Sequence, residues 1–136
     1  MSEHRVLDAS TLVDLLLQRP LDARVAAWLA DETIHWHAPD IIGVELTSVL
    51  RRLTLTEACS AQRAQAALQD YRDLGLVLHP SNELLEAALA LHGSISAYDA
   101  VYVALAMGIP APLVTADRKL AASANSLCDI IVSTPN

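Results

Sequence analysis

The chain has 136 residues, 53% of them hydrophobic, with 16 acids against 9 Lys and Arg and a net charge of −7. That length sets a single domain over residues 1–136 with room for a substantial core, and a pI near 5.0 excludes a generic electrostatic nucleic-acid binder. Short apolar runs broken by charges exclude a bilayer span, and Met1-Ser2-Glu3-His4-Arg5 has no signal-peptide core, so a cytoplasmic protein with no membrane partner is expected.

Arg5-Val6-Leu7-Asp8 predicts a short strand, and Ala9-Ser10-Thr11 turns it into a helix through Leu17 that Pro20 ends. A second helix is expected over 21–30, with Val25, Trp28 and Leu29 on one side. Alternation in Thr33-Ile34-His35-Trp36-His37-Ala38 predicts the next strand. Pro39-Asp40 opens a helix over 41–55, and another is expected over 57–74 with Gly75 as its stop. Leu76-Val77-Leu78-His79 is a third strand, broken by Pro80. Ser81 is expected to cap a helix over 82–92, with Glu83 and Glu86 in the early turns that favour acids. Ser96 caps a nearly all-apolar helix that Gly108 closes and that Pro110 and Pro112 keep from resuming. A strand over 113–115, a short helix over 119–123 and a strand over 129–132 complete the chain.

Short, continuously apolar strands alternating with helices indicate an α/β fold whose central sheet is mainly parallel and covered on both faces. Sites in such sheets collect at the carboxyl ends of strands, where Asp8 and Asp117 lie. Taken singly, each acid has an ordinary use: Asp8 as a helix N-cap, Asp99 as the far arm of a short capping box, Asp117 as a turn residue. Glu45 is different. Ile41 and Val49 stand one turn either side of it, with Ile42 and Leu53 nearby, so it projects from an apolar stripe. There it either snorkels, pairs with Arg52 or belongs to a site.

Carboxylates gathered without counter-ions raise one another's pKa values, and the sequence offers no equal set of buried cations. Hard oxygen donors of this kind suit Mg2+ or Mn2+. No Cys/His cluster points to zinc; His35 and His37 share one side of a strand, and Cys59 and Cys128 read as buried thiols.

Val6-Leu7-Asp8-Ala9-Ser10, Val44-Glu45-Leu46, Tyr98-Asp99-Ala100-Val101-Tyr102-Val103-Ala104-Leu105-Ala106 and Leu113-Val114-Thr115-Ala116-Asp117 together resemble the PIN-domain family, in particular its VapC-like toxins. The match runs in order from Arg5 to about Val132; each motif alone is weak, and the set is strong. The resemblance implies a three-layer α/β/α sandwich and a metal-dependent endoribonuclease. Asp8, Glu45, Asp99 and Asp117 fall on the family's acidic quartet, and Ser10 and Thr115 on hydroxyl positions that line the same pocket. It also implies a homodimer held inactive by a small antitoxin. Some relatives carry a further acid after the last motif, where this chain has Arg118-Lys119.

On this reading Asp8 and Asp99 are the principal ligands of the first of one or two ions, and Glu45 and Asp117 complete the pocket directly or through waters. Ser10 and Thr115 orient water or carboxylates. Attack by water leaves a 5′-phosphate and a 3′-hydroxyl. Arg51, Arg52, Arg118 and Lys119 are the candidate RNA contacts, against the plainer reading of a solvated face. Asp14 reads as a surface residue. Tyr98 and Tyr102, four apart on a buried helix, read as core or interface packing ahead of base stacking. A haloacid-dehalogenase-type phosphatase needs an acid where this chain has Ser10, and a receiver domain needs one where it has His79-Pro80. The serious rival is a PIN-like binding or scaffold protein with weak catalysis.

Overall fold

The computed structural model describes residues 3–91, 93 and 95–136. Strands β1 (Glu3–Leu7), β2 (Ile34–Pro39), β3 (Val77–His79), β4 (Leu113–Thr115) and β5 (Ile130–Val132) form one sheet in the order β3-β2-β1-β4-β5. Every adjacent pair is parallel. β1 is central, with Val6 and Leu7 fully buried, and Val6 stands in register with His37 on one side and Leu113 on the other. The chain leaves β1 towards β2 and β3, then crosses back to β4 and β5. That reversal opens a crevice beside the carboxyl end of β1.

The helices are α1 (Ala9–Leu16), α2 (Ala23–Ala30), α3 (Ile42–Leu55), α4 (Ala61–Asp73), α5 (Leu85–Ala90), α6 (Ala97–Gly108) and α7 (Arg118–Ala124). They complete a three-layer α/β/α sandwich: α1 packs with α3 and α4, α5 packs with α6, and α6 lies along β1, β2 and β4. The apolar sequence of α6 explains its place, since all residues from Ala100 to Ala106 are buried. Ser96 Oγ caps it by accepting from the Asp99 N–H at 3.1 Å, as its sequence predicts. Among the described residues no helix is long and apolar enough to cross a membrane.

Several boundaries move, each for a local reason. The helix expected from residue 57 starts at Ala61, because Ser60 takes the cap and accepts from the Arg63 N–H at 3.0 Å. Glu57 sits in the turn before it at φ 60°, and the Ala58 and Cys59 amides both close on Leu53 O. Asp40 does not cap α3. Its carboxylate instead accepts from the Ser81 hydroxyl at 2.6 Å and the Ser81 amide at 3.0 Å, which takes Ser81 away from the capping role expected of it. The segment expected as one helix over 82–92 is a 3-10 turn, Ser81–Leu84, followed by the six-residue α5, after which Leu91 is extended. His92, its expected last residue, lies outside the described residues. Cys59 and Cys128 are free but only half-buried. Asp14, read as a surface residue, is partly buried: its side chain is 14% exposed and pairs with the more exposed Arg19 at 3.6 Å.

Candidate active site

Asp8 follows the last residue of β1 and performs the capping role open to it, with Oδ1 accepting from the Thr11 N–H at 3.2 Å. It is also 5% exposed and needs more than one donor. Ser10 Oγ donates to Oδ1 at 2.6 Å, and Thr115 Oγ1 donates to Oδ2 at 2.5 Å. Each hydroxyl then accepts an amide from the turn after β4: Ala116 N–H to Ser10 at 2.9 Å, Asp117 N–H to Thr115 at 3.0 Å. The two hydroxyls therefore latch the Asp8 carboxylate to the turn that carries Asp117. Thr11 fastens the same corner from below, donating to Val114 O at 3.1 Å and pairing with Ser133 Oγ at 2.8 Å.

Glu45 lies in the first turn of α3 and Asp99 in the first turn of α6, so two helix N-termini aim their dipoles at the carboxyl end of the sheet. Glu45 has no ion pair with Arg52 among the described residues; its Oε1 accepts from the Tyr102 hydroxyl at 2.6 Å. Asp117 is exposed and caps α7, accepting from the Lys119 and Leu120 amides. With Asp99 and Lys119 it lines a cleft of about 350 Å3. Larger clefts exist elsewhere, at the far end of α6 for instance, but they contain no comparable chemistry.

The acids feel one another. Burial, above all, lifts the Asp8 carboxyl above its ordinary range; the Ser10, Thr115 and Thr11 donors pull it back, and the Asp99 charge adds to the rise. Glu45 is raised by burial and by the charges of Asp8 and Asp99, against the pull of Tyr102. Asp99 is raised by burial and by Asp117, against the pull of Ser96. The structure thus brings Asp8, Glu45 and Asp99 within mutual electrostatic reach and joins Asp117 to them through Asp99. No Lys or Arg forms an ion pair with any of the four among the described residues.

All four donors are carboxylate oxygens, the chemistry of hard dications rather than of zinc or copper. They do not form a closed cage: among the described residues no group of three or more His, Cys, Asp or Glu makes a ready metal site, so an ion here would take one or two carboxylates and fill its remaining positions with water or phosphate. Arg51, Arg52, Arg118 and Lys119 are all exposed, Arg118 donating to Thr134 Oγ1 at 3.2 Å, and only Lys119 borders the acidic cleft.

Sequence reasoning missed two things. Tyr102, read as packing, is indeed 1% exposed, which rules out base stacking, but its hydroxyl is the partner of Glu45. The signal was available, since a buried tyrosine must place its hydroxyl somewhere and Tyr102 sits one turn from Asp99. Tyr98, by contrast, is 62% exposed and belongs to no core. His35 and His37, weighed as ligands, belong instead to a histidine ladder across three strands. The ring of buried His37 hydrogen-bonds His4 Nδ1 at 2.8 Å and His79 Nε2 at 2.9 Å, and His35 stacks on His4.

Residues 5–125 match the PIN domain. The chain is 35% identical to VapC ribonuclease Mb0985 of Mycobacterium bovis (strain ATCC BAA-935 / AF2122/97), covering 93% of this chain and 96% of that protein. Its fold is similar to that of PAE2754 from Pyrobaculum aerophilum, with a TM-score of 0.65 and 23% identity over 90% of this chain and 86% of that one. It is similar as well to VapBC2 from Rickettsia felis, solved bound to a DNA fragment from their promoter, with a TM-score of 0.60 and 15% identity over 96% and 98%. The motifs around Asp8, Glu45, Asp99 and Asp117 thus sit in a matched fold and a matched sequence, and the chain belongs to the PIN-domain family, among its VapC-type members.

Proposed function

We propose that this protein is a Mg2+- or Mn2+-dependent endoribonuclease, the toxin of a toxin–antitoxin pair, acting as a homodimer. The observation that carries the reading is the set of electrostatically coupled acids at the strand ends with no basic partner among the described residues. A fold that gathers such charge and leaves it unneutralised is destabilised by it, and a divalent cation reverses that cost. Relatives named ribonucleases support the substrate class, and the VapBC architecture supports an antitoxin partner. Exposed apolar side chains, among them Leu89, Val44 and Leu55, supply surface for partners to cover.

Asp8 and Asp99 would hold the first ion, with Glu45 and Asp117 completing the pocket. When bound, the ion lowers the pKa of coordinated water and neutralises charge on the phosphate. Ser10 and Thr115 fix the Asp8 carboxylate by donating to one oxygen each, so that its remaining lone pairs keep one direction. Lys119, beside Asp99 and Asp117, contacts a phosphate on the strand being cut. Attack by water rather than by the ribose 2′-hydroxyl leaves a 5′-phosphate and a 3′-hydroxyl.

The reading as a weakly catalytic binding protein draws on one observation, the lack of a ready three-ligand group among the described residues. A cleavage assay with Mg2+ or Mn2+, run beside EDTA, Asp8→Asn and Asp99→Asn, separates the two. Wild-type cleavage that EDTA and both variants abolish supports the nuclease. Equal cleavage by all three proteins marks a contaminant, and silence from all favours the binder. In the same samples Mn2+ at a hundred times its Kd should stabilise the wild type by about 2.7 kcal/mol.

A further inference from the structure

We infer that Tyr102 is the positioning residue of this site, holding Glu45 so that one carboxylate oxygen is tied down and the other is offered to the metal. The inference rests on the metal-dependent reading above. Glu45 is the acid with the longest side chain in the set, and its backbone belongs to α3, a different helix from the one that carries Asp99. Left alone, such a side chain samples many rotamers and turns towards water. Here its Oε1 accepts from Tyr102 Oη at 2.6 Å, and among the described residues no other hydrogen bond or ion pair reaches the Glu45 carboxylate.

Tyr102 is well made for the task. It is the largest fully buried side chain of the protein, one turn along α6 from Asp99, so its ring cannot swing. The same helix therefore supplies one acid directly and aims a second through Tyr102. At 1% exposure the phenol cannot touch an RNA, which makes it a residue that acts only through Glu45. A structural tyrosine seeking any acceptor would be satisfied by a backbone carbonyl; this one is spent on a carboxylate that two neighbouring acids already repel.

Tyr102→Phe keeps the ring and removes the hydroxyl. Its Mn2+ affinity, measured by calorimetry and by the Mn2+-dependent rise in Tm, should weaken about tenfold or more, the usual loss when a ligand's supporting partner goes. kcat for RNA cleavage should fall with KM for RNA unchanged. In a Glu45→Ala background the same substitution should alter Mn2+ affinity less than twofold, because the intermediary is gone. Mn2+ affinity within twofold of wild type in Tyr102→Phe overturns the inference, as does an equal loss with and without Glu45.

A measurement on the unaltered fold covers the case in which Tyr102→Phe fails to fold. With 3-fluorotyrosine incorporated and assigned through Tyr71→Phe and Tyr98→Phe, the Tyr102 fluorine signal should move on Mg2+ addition and saturate with the metal's own Kd. A signal that stays still while Mg2+ binds overturns the inference and leaves the nuclease reading standing. A wild type that binds neither ion overturns both.

Discussion

Two regions of this sheet crowd together groups of like charge and treat them in opposite ways. At the carboxyl ends of β1 and β4, Asp8, Glu45 and Asp99 are raised by burial and by repulsion from neighbouring acids. In the histidine row across β1, β2 and β3, the buried member is discharged: burial and its neighbours His79, His4 and His35 push His37 down to about 4. A neutral imidazole donates at one nitrogen and accepts at the other, so a row of histidines can satisfy itself. Ionised carboxylates only accept. They can share hydroxyl and amide donors, as Asp8 does, but their charge is answered only from outside. His37 thus has a partner at each ring nitrogen, whereas the acids of the corner have no basic partner among the described residues.

Asp99→Asn tests the acidic side most severely. RNA cleavage and Mn2+ affinity should fall by more than the about 100-fold that loss of a supporting partner brings. The metal-free protein should melt no lower than wild type, because the lost charge was repelled; a clear drop in Tm would show that the corner is not under electrostatic strain. Thr115→Val is milder. It removes one of the donors to buried Asp8 while keeping the shape, at a cost of about 1–3 kcal/mol in chemical denaturation and about 10–100-fold in Mn2+ affinity.

Acid titration separates the regions by sign. For His37 the unfolded chain takes up its proton first as pH falls, so stability present above about 6.5 is lost as pH drops towards about 4. For the raised carboxyls the folded state takes up protons first, so their contribution is present at low pH and lost as pH rises through their folded values. Melts in EDTA from pH 4 to 8 should show the two trends opposing each other, and His37→Phe should remove the loss between 6.5 and 4. The smallest effect is expected at the ladder's exposed end, where His35→Ala should stay within about 0.5 kcal/mol in the same melts.

The sequence made the acidic corner largely legible because each acid stands beside a local landmark. Asp8 and Asp117 stand just after strands and cap the next helix, Ser96 marks the start of α6, and Glu45 interrupts an apolar stripe. The ladder had no such landmark. His37 meets His4 and His79 only once β1, β2 and β3 settle their register, across separations of 33 and 42 residues. The Tyr102–Glu45 bond was half legible: a buried phenol needs an acceptor, but periodicity names only the inward face of a helix, not which group waits there. Boundaries slipped where competing caps stood close together. Ser60 prevailed over Glu57, and Asp40 drew Ser81 out of its expected role.

The exposed turn between α3 and α4 has a practical consequence. A nick beside Glu57, where the backbone already takes a left-handed bend, divides the acids two and two: Asp8 and Glu45 on the first fragment, Asp99 and Asp117 on the second. Tyr102 travels with the second fragment and Glu45 with the first, so neither half owns a finished pocket.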